Sequence, residues 1–376
     1  VISHDVTAIV NGQQIDGWQS YNFESSLITP ADTFVMRMPF NATAYRTLRR
    51  DSRITILVDG VTMLDGFIDR RVRHGRQGVL EINGRDRVGR LIDESAPAIT
   101  YDGLTIEQAV KLLASPWFST ITLSDAKNRL LRRGKGRRVA SGNEPVVTIN
   151  VRVPRRGQVH PGESRWHLIH EIVSRAGLIC YSSSDGKELI IGKPNQTQAP
   201  QYKFVYQFGN SDPGTVKDIM ISEDDGDRYS LILCAGVGGQ STTNYGKNVI
   251  DNRGVVFDNP FNKLDGTGRD FIHPKRLFLP ERAFDSYGDA QRVAKNEQAR
   301  RDYKRHVASI EMDGFGQNLG GGALTLFAPD TVGHLIDAEA EIDDTYLLVS
   351  CSYSGAHDTG DVTNIHMVPT GTEIVL

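Results

Sequence analysis

The stretch "EINGRDRVGRLID", Glu81 to Asp93, decides how this 376-residue chain is read. It follows an apolar alternation and packs two glycines, three arginines and two aspartates into thirteen residues. Three uses fit such a run: an active-site loop, a phosphate cradle or a structural corner. Val79 to Asn83 has the period-2 pattern of a strand, and Gly84 permits a sharp change of direction. Asp86 is placed to cap a short helix whose apolar residues are Val88, Leu91 and Ile92. Arg85, Arg87, Arg90 and Asp93 are then available for surface or interface ion pairs. The run holds no nucleophile and no acid/base dyad, so we read it as a β-to-α corner, with Gly84, Arg85, Asp86, Arg87, Gly89 and Asp93 as its structural motif.

Outward from that corner, residues 1–96 read as a compact β unit. Asn11-Gly12 and Asp59-Gly60 are tight-turn signals, and the runs before and after them alternate. One helix interrupts the strands at "NATAYRTLRR", capped by Asn41. After the corner, residues 97–205 read as an α+β unit. "LTIEQAVKLLAS" places Ile106, Ala109, Val110 and Leu113 on one helix face, with Thr105 at its start and Pro116 stopping it. "ESRWHLIHEIVSRAG" is a second helix ending at Gly177, and "LICYSSSDGKELIIGKP" is a hairpin turning on Asp185-Gly186.

From Tyr202 the β patterning returns. "VKDIMISED", "RYSLILCAG", "HVASIEMDG", "TYLLVSCSYSGAH" and "VTNIHMVP" read as strands, which assigns a second β unit to residues 206–236 and 305–368. Residues 237–304 read as an inserted loop and helix segment, polar and Gly/Asn/Asp-rich up to 285. The strand pair at 61–83 resembles the pair at 344–366, which suggests two copies of one β module.

Composition excludes several classes. With 39% hydrophobic and 24% charged residues the chain has material for a core, and a net charge of -3 gives no general attraction to nucleic acid or membrane. Cys180, Cys234 and Cys351 are too sparse for a disulfide framework, which fits a reducing host cytoplasm. No apolar run reaches the length of a membrane span, so no membrane insertion is expected.

Chemistry-bearing motifs are few. "HLIHE" sets His167 and His170 three apart beside Glu171, with His160 upstream, but matches no zinc-helix spacing. Gly236, Gly238 and Gly239 lack the last glycine of a dinucleotide fingerprint, since Ser241 stands in the polar run that follows. No metal or cofactor is expected. The basic run holding Arg129, Arg132, Arg133, Lys135, Arg137 and Arg138 lacks interleaved aromatics. Arg132, Arg133, Lys135, Arg137 and Arg138 are better suited to an acidic protein partner or to solvent than to a nucleic-acid groove.

Residues 54–96, above all "LVDGVTMLDGFIDRRVRHGRQGVLEINGRDRVGRLIDESA", resemble the central baseplate hub proteins of Mu-type contractile-tailed bacteriophages. The likeness extends to "VNGQQIDGWQSYNFESSL", to "WHLIHEIVSRAGLICYSSSDGKELII" and to "HLIDAEAEIDDTYLLVSCSYSGAHDTG". It implies a mainly β protein with α+β, in which two tube-type β-barrels flank an α+β domain. Three such chains would form a pseudo-sixfold ring, joining the sixfold tail tube to a trimeric spike and letting DNA pass. The resemblance implies no enzyme and no cofactor. Its partners would be two further copies, the spike, the tail tube and other baseplate proteins, in a virion assembled in the host cytoplasm. In such a ring the arginines of the basic run would lie outside. The acidic turns Glu223 to Asp227 and Glu341 to Asp344 would line the channel or its rims. The competing classes are a tail-associated peptidoglycan hydrolase and a nucleic-acid-binding module acting through residues 129–138.

Overall fold

A computed structural model of the chain describes residues 2–98, 104–123, 162–183, 185–209, 216–238, 252–257, 275–284, 287–318, 324–356 and 360–375. The basic run at 129–138, the strand read in "PVVTINVRV" and His160 lie outside the described residues. The described residues are mainly β. Thirteen of their strands join one sheet, and five helices stand beside it.

The first β unit contributes β1 (Val6–Val10), β2 (Gln13–Ile15), β3 (Ser20–Ser26), β4 (Thr33–Pro39), β5 (Arg53–Val58), β6 (Val61–His74) and β7 (Val79–Asp86). The turns form where the sequence expects them. Asn11, Gly12, Asp59 and Gly60 all have positive φ, the backbone that a two-residue hairpin with the right twist requires. Helix α1 (Ala42–Thr47) begins at Asn41, whose side chain accepts the Thr43 N–H at 2.8 Å.

The C-terminal β strands repeat this order. They are β11 (Tyr202–Tyr206), β12 (Val216–Glu223), β16 (His306–Asp313), β19 (Val332–Asp337), β20 (Ile342–Ala356) and β21 (Gly360–Pro369). The first half runs β3-β4-β7-β6-β5 and the second β12-β16-β21-β20-β19, all antiparallel. The long strands correspond residue by residue. β6 slips register between Ile68 and Arg70, and β20 slips between Leu348 and Ser350. β5 reaches Phe67, and β19 reaches Leu347. Asp51 and Asp330, both left-handed, donate their N–H to the carbonyls of Ile68 and Leu348. The likeness read between 61–83 and 344–366 is therefore a repeat of the whole half-sheet. The copies differ at the next position, where β1 runs antiparallel to β5 but β11 runs parallel to β19.

The halves are joined by β3, which pairs antiparallel with β20 from Ser350↔Ser26 to Ala356↔Ser20. The thirteen strands thus form one hydrogen-bonded sheet whose path, among the described residues, is open at β12 and β2. A single core lies across both halves, uniting Phe23, Phe34, Met36 and Ile82 with Phe204, Ile310, Phe315, Tyr353 and Ile365.

Beside the first half stand α2 (Val88–Asp93), α3 (Ile106–Ala114) and α4 (Arg165–Arg175). They pack with a three-stranded sheet of β8 (Thr120–Leu123), β9 (Ile179–Ser182) and β10 (Glu188–Gly192) around their own core. Thr105 and Gln108 close a capping box on α3, and Ser164 caps α4. Every apolar residue read on the α3 face is buried.

"RYSLILCAG" is a strand, β13 (Leu231–Gly238), but it does not join the C-terminal half-sheet. Its partners are β14 (Asn252–Phe257) and β15 (Arg276–Phe284), inside the segment read as a polar excursion. Helix α5 (Tyr287–Asp302) covers this small sheet with Ala290, Ala294 and Val293. The small side chains let the backbones approach: a Cβ on Gly254 would sit 2.0 Å from the Ala290 carbonyl oxygen.

The shared core yields a stability test. Phe34 is 1% exposed, and Phe34→Ala should cost about 3–5 kcal/mol in chemical denaturation. Because the core spans both halves, the sheet should lose its structure in one shifted transition. Two transitions, of which only the earlier moves, would contradict a shared core.

Candidate functional site

The corner motif is the best-defined polar cluster among the described residues. Alternation along β7 sends Leu80, Ile82, Gly84 and Asp86 inward and Glu81, Asn83 and Arg85 toward the less buried face. The strand continues past Gly84 to Asp86, so Gly84 is not the bend expected of it. Its role is close approach: a Cβ there would meet the Phe67 carbonyl oxygen at 2.0 Å and Phe34 Cζ at 2.7 Å. Gly89 is tight against Arg85, whose Cβ would lie 2.9 Å from an added one. The turn comes after Asp86, where α2 starts.

Asp86 is the fourth inward residue of the strand and only 3% exposed, so it needs internal partners. Its Oδ1 accepts the Val88 N–H at 3.0 Å, but the cap position of α2 is Arg87, which makes no side-chain cap bond, so Asp86 stands one residue before the cap expected of it. Its Oδ2 accepts the Ser182 hydroxyl at 2.6 Å, tying the strand to β9. Its N–H donates to the Asp32 carbonyl at 2.9 Å, and the Asp32 carboxylate accepts the Ser26 N–H at 3.2 Å. Burial raises the carboxyl pKa of both aspartates. Asp86 is pushed up to about 7, and Asp32 rises well above its ordinary value, with the Asp86 charge as a second cause.

The arginines of the motif all reach acids. Arg85 Nε lies 2.6 Å from Asp69 Oδ2, and its two terminal nitrogens hold Asp93 at 3.1 and 2.6 Å. These bonds, led by Asp93, raise the Arg85 pKa further. Arg87 Nε lies 3.3 Å from Asp65 Oδ1, and Arg53 holds the same carboxylate at 3.0 and 2.5 Å. Arg90 reaches Asp51 at 2.8 Å and lies over the Phe67 ring. Asp65 is buried, so its double pairing carries more than the exposed pairs of Arg85 and Arg90. Beyond α2, Glu94 receives Arg165 at 3.1 Å and the Trp117 indole at 2.6 Å.

Sequence reasoning missed Asp32, Asp65 and Ser182. None of the three carries a local sequence signal, and the consecutive buried run Leu64, Asp65 and Gly66 that breaks the alternation of β6 is visible only in the fold. Arg132, Arg133, Lys135, Arg137 and Arg138 lie outside the described residues. His167 is exposed and His170 half-buried, its pKa lowered chiefly by burial. Among the described residues no group of three His, Cys, Asp or Glu side chains could hold a metal. The three cysteines are buried thiols. The neighbouring carboxyls of Asp32 and Asp86 are buried, at 9% and 3% exposure. Chemically the cluster is a joint between the first β unit and the helices.

The joint has a pH signature. The folded chain keeps the proton of Asp86 up to about pH 7, whereas an unfolded aspartate loses it near 3.8. The contribution is fully present below the lower value and is lost as pH rises toward the upper one. Asp86→Asn should flatten the fall in Tm across that window, and Asp86→Ala should cost about 1–3 kcal/mol at its low-pH end and less as pH rises. An unchanged slope in Asp86→Asn would contradict the burial argument.

Residues 5–86 match the family model of the Mu phage baseplate assembly protein GpP-like N-terminal domain. No curated protein sequence matches the chain significantly. Among solved structures, the tail protein from Neisseria meningitidis MC58 is similar over 99% of this chain and 98% of its own, with TM-score 0.75 and 20% identity. The 43 kDa tail protein of prophage MuSo2 from Shewanella oneidensis is similar over 98% of this chain and 99% of its own, with TM-score 0.71 and 17% identity. The E. coli c3393 protein, a type VI secretion component described as similar to the T4 tail proteins gp27 and gp5, reaches TM-score 0.55 at 12% identity, over 98% of this chain and 78% of its own. Residues 5–86 thus match the GpP-like N-terminal domain of Mu phage baseplate assembly proteins, and the chain has a fold similar to that of the Neisseria and MuSo2 tail proteins.

Proposed function

We propose that the chain is the structural hub of a contractile-tail baseplate, a ring of three copies that adapts the sixfold tail tube to a threefold spike. The observation that carries this reading is the repeated half-sheet. One chain that holds the same strand order twice offers two similar modules, and three chains would offer six. The GpP-like match and the tail-protein fold support the same assignment. In this reading the module at 1–96 and a second one built from β11, β12 and residues 305–369 serve as tube-type barrels, completed by neighbouring copies, while β13 belongs with the small sheet of β14 and β15. The α+β unit at 97–205 and the segment at 237–304 extend from the ring.

The role is mechanical, and the corner fits it. Load passing between the β ring and the α+β unit within one chain crosses two connections, the run from Asp86 to Glu94 and the run from β10 into β11. The first of them is held by buried carboxyl bonds and by arginines that grip β6 and α2. The hub would meet the spike on one side and tube and baseplate proteins on the other. DNA would be a passenger in the bore, so the bore should not be lined by rings of Lys and Arg that hold phosphate.

Light scattering on the purified chain should give three times the chain mass of 41.6 kDa, and negative-stain images should show rings with a central hole. A monomer or dimer at all concentrations would contradict the ring. Peptidoglycan turnover by the purified chain would favour the hydrolase class instead.

A further inference from the structure

We propose that adjacent copies join by strand addition, the β6 edge of one copy pairing with the β12 edge of the next in a register set by the repeat. This inference rests on the ring reading above and names its interface. In β20, the residues before the register slip pair with β19 and those after it pair with β3 on the same edge. β6 has the same construction, but after its slip only β7 is bonded to it among the described residues. Its edge from Arg70 to His74 corresponds to the β20 edge that β3 fills. The counterpart of β3 is β12, bonded among the described residues to β16 alone. The Ile219 N–H is met by the adjacent Asp218 carboxylate at 3.0 Å, as on an edge with no ladder partner. Inside the chain the first module's β3 fills the second module's β20. The unfilled pair, β6 and β12, is the same contact turned outward.

Register follows from correspondence. Tyr353 pairs with Phe23, and Ser350 pairs with Ser26. Tyr353 stands opposite Thr363 as Arg73 stands opposite Leu80, and Phe23 stands opposite Phe34 as Ile221 stands opposite Ala308. Carried over, Arg73 meets Ile221, Val72 meets Ser222, Arg71 meets Glu223 and Arg70 meets Asp224 of the next copy. Arg70 and Asp224 then complement each other, although the register was fixed without them; Arg71, held by the Tyr45 and Leu48 carbonyls, adds its charge nearby. A strand carrying Arg70, Arg71 and Arg73 also repels a second copy of itself, which favours the acidic edge over self-pairing. Met220, 60% exposed, lies on this edge. Such a heterologous contact closes into a ring or propagates as a filament.

The Leu27 N–H bond to the Val349 carbonyl sets the alternation, and makes Ser352↔Glu24 a non-hydrogen-bonded pair. Its outward counterpart, Val72 and Ser222, should therefore have Cα atoms about 4.5 Å apart, within disulfide reach. A chain carrying Val72→Cys and Ser222→Cys is oxidised and run on a non-reducing gel. Covalent dimers and trimers should form, with the ladder ending at three. They should form several-fold more than with Val72→Cys and Met220→Cys, one diagonal step away. Arg70→Glu should weaken assembly, and adding Asp224→Arg should restore it. A trimer by mass that neither cross-links at this pair nor responds to the charge swap overturns the interface and leaves the ring reading standing. A chain that stays monomeric overturns both.

Discussion

The pairing of β3 with β20 is the interaction on which the rest of the structure depends. β20 is fifteen residues long and gives one edge to two strands in succession. The register slip between Leu348 and Ser350 lies where the partner changes. That arrangement fuses two half-sheets into one sheet, places Phe23 and Tyr353 opposite each other, and lets a single core run beneath both. Without it each half would present a bare sheet edge and a thinner core.

The second constraint is the corner after β7. Burying a carboxyl is costly unless its oxygens are bonded, and here both oxygens of Asp86 accept hydrogen bonds that link different parts of the molecule. One faces the helix that leaves the β unit, and the other faces the hairpin that returns to it. The tip of that hairpin comes close enough that a Cβ on Gly186 would lie 2.6 Å from the Asp65 carbonyl oxygen. The α+β unit is therefore seated on the β unit at two points, and the arginines around them lie on strands and helix that are already fixed.

Much of this was legible in the sequence because its cause is local. Asn11-Gly12 and Asp59-Gly60 announced their hairpins through the backbone they adopt, and Asn41 and Thr105 announced helix starts through side chains that reach their own first turn. The expectation of a mainly β chain of the phage-tail kind rested on such signals and on the run at 54–96, and the fold and the match at 5–86 agree with it. What was not legible is long-range. β3 and β20 lie more than three hundred residues apart, and no pattern in either names the other. Ser182 and Asp32 carry no mark as partners of Asp86. Gly84 looked like a bend because glycine serves both turns and close packing, and only the Phe34 ring above it decides between them. β14 and β15 were hidden in a polar stretch because a small sheet covered by one helix leaves little apolar alternation.

The two halves of this chain resemble each other in strand order, register slip and left-handed aspartates, and differ in the direction of β1 and β11. A contact satisfied inside the chain and open at its ends is the geometry from which closed assemblies grow. The most direct test is the rotation that superposes the first half-sheet on the second, measured in a cryo-electron microscopy map of the assembled chain. The account predicts about 60° around the axis that relates the copies, so that three chains place six modules evenly. A rotation far from this value, or half-sheets arranged about no common axis, would contradict it.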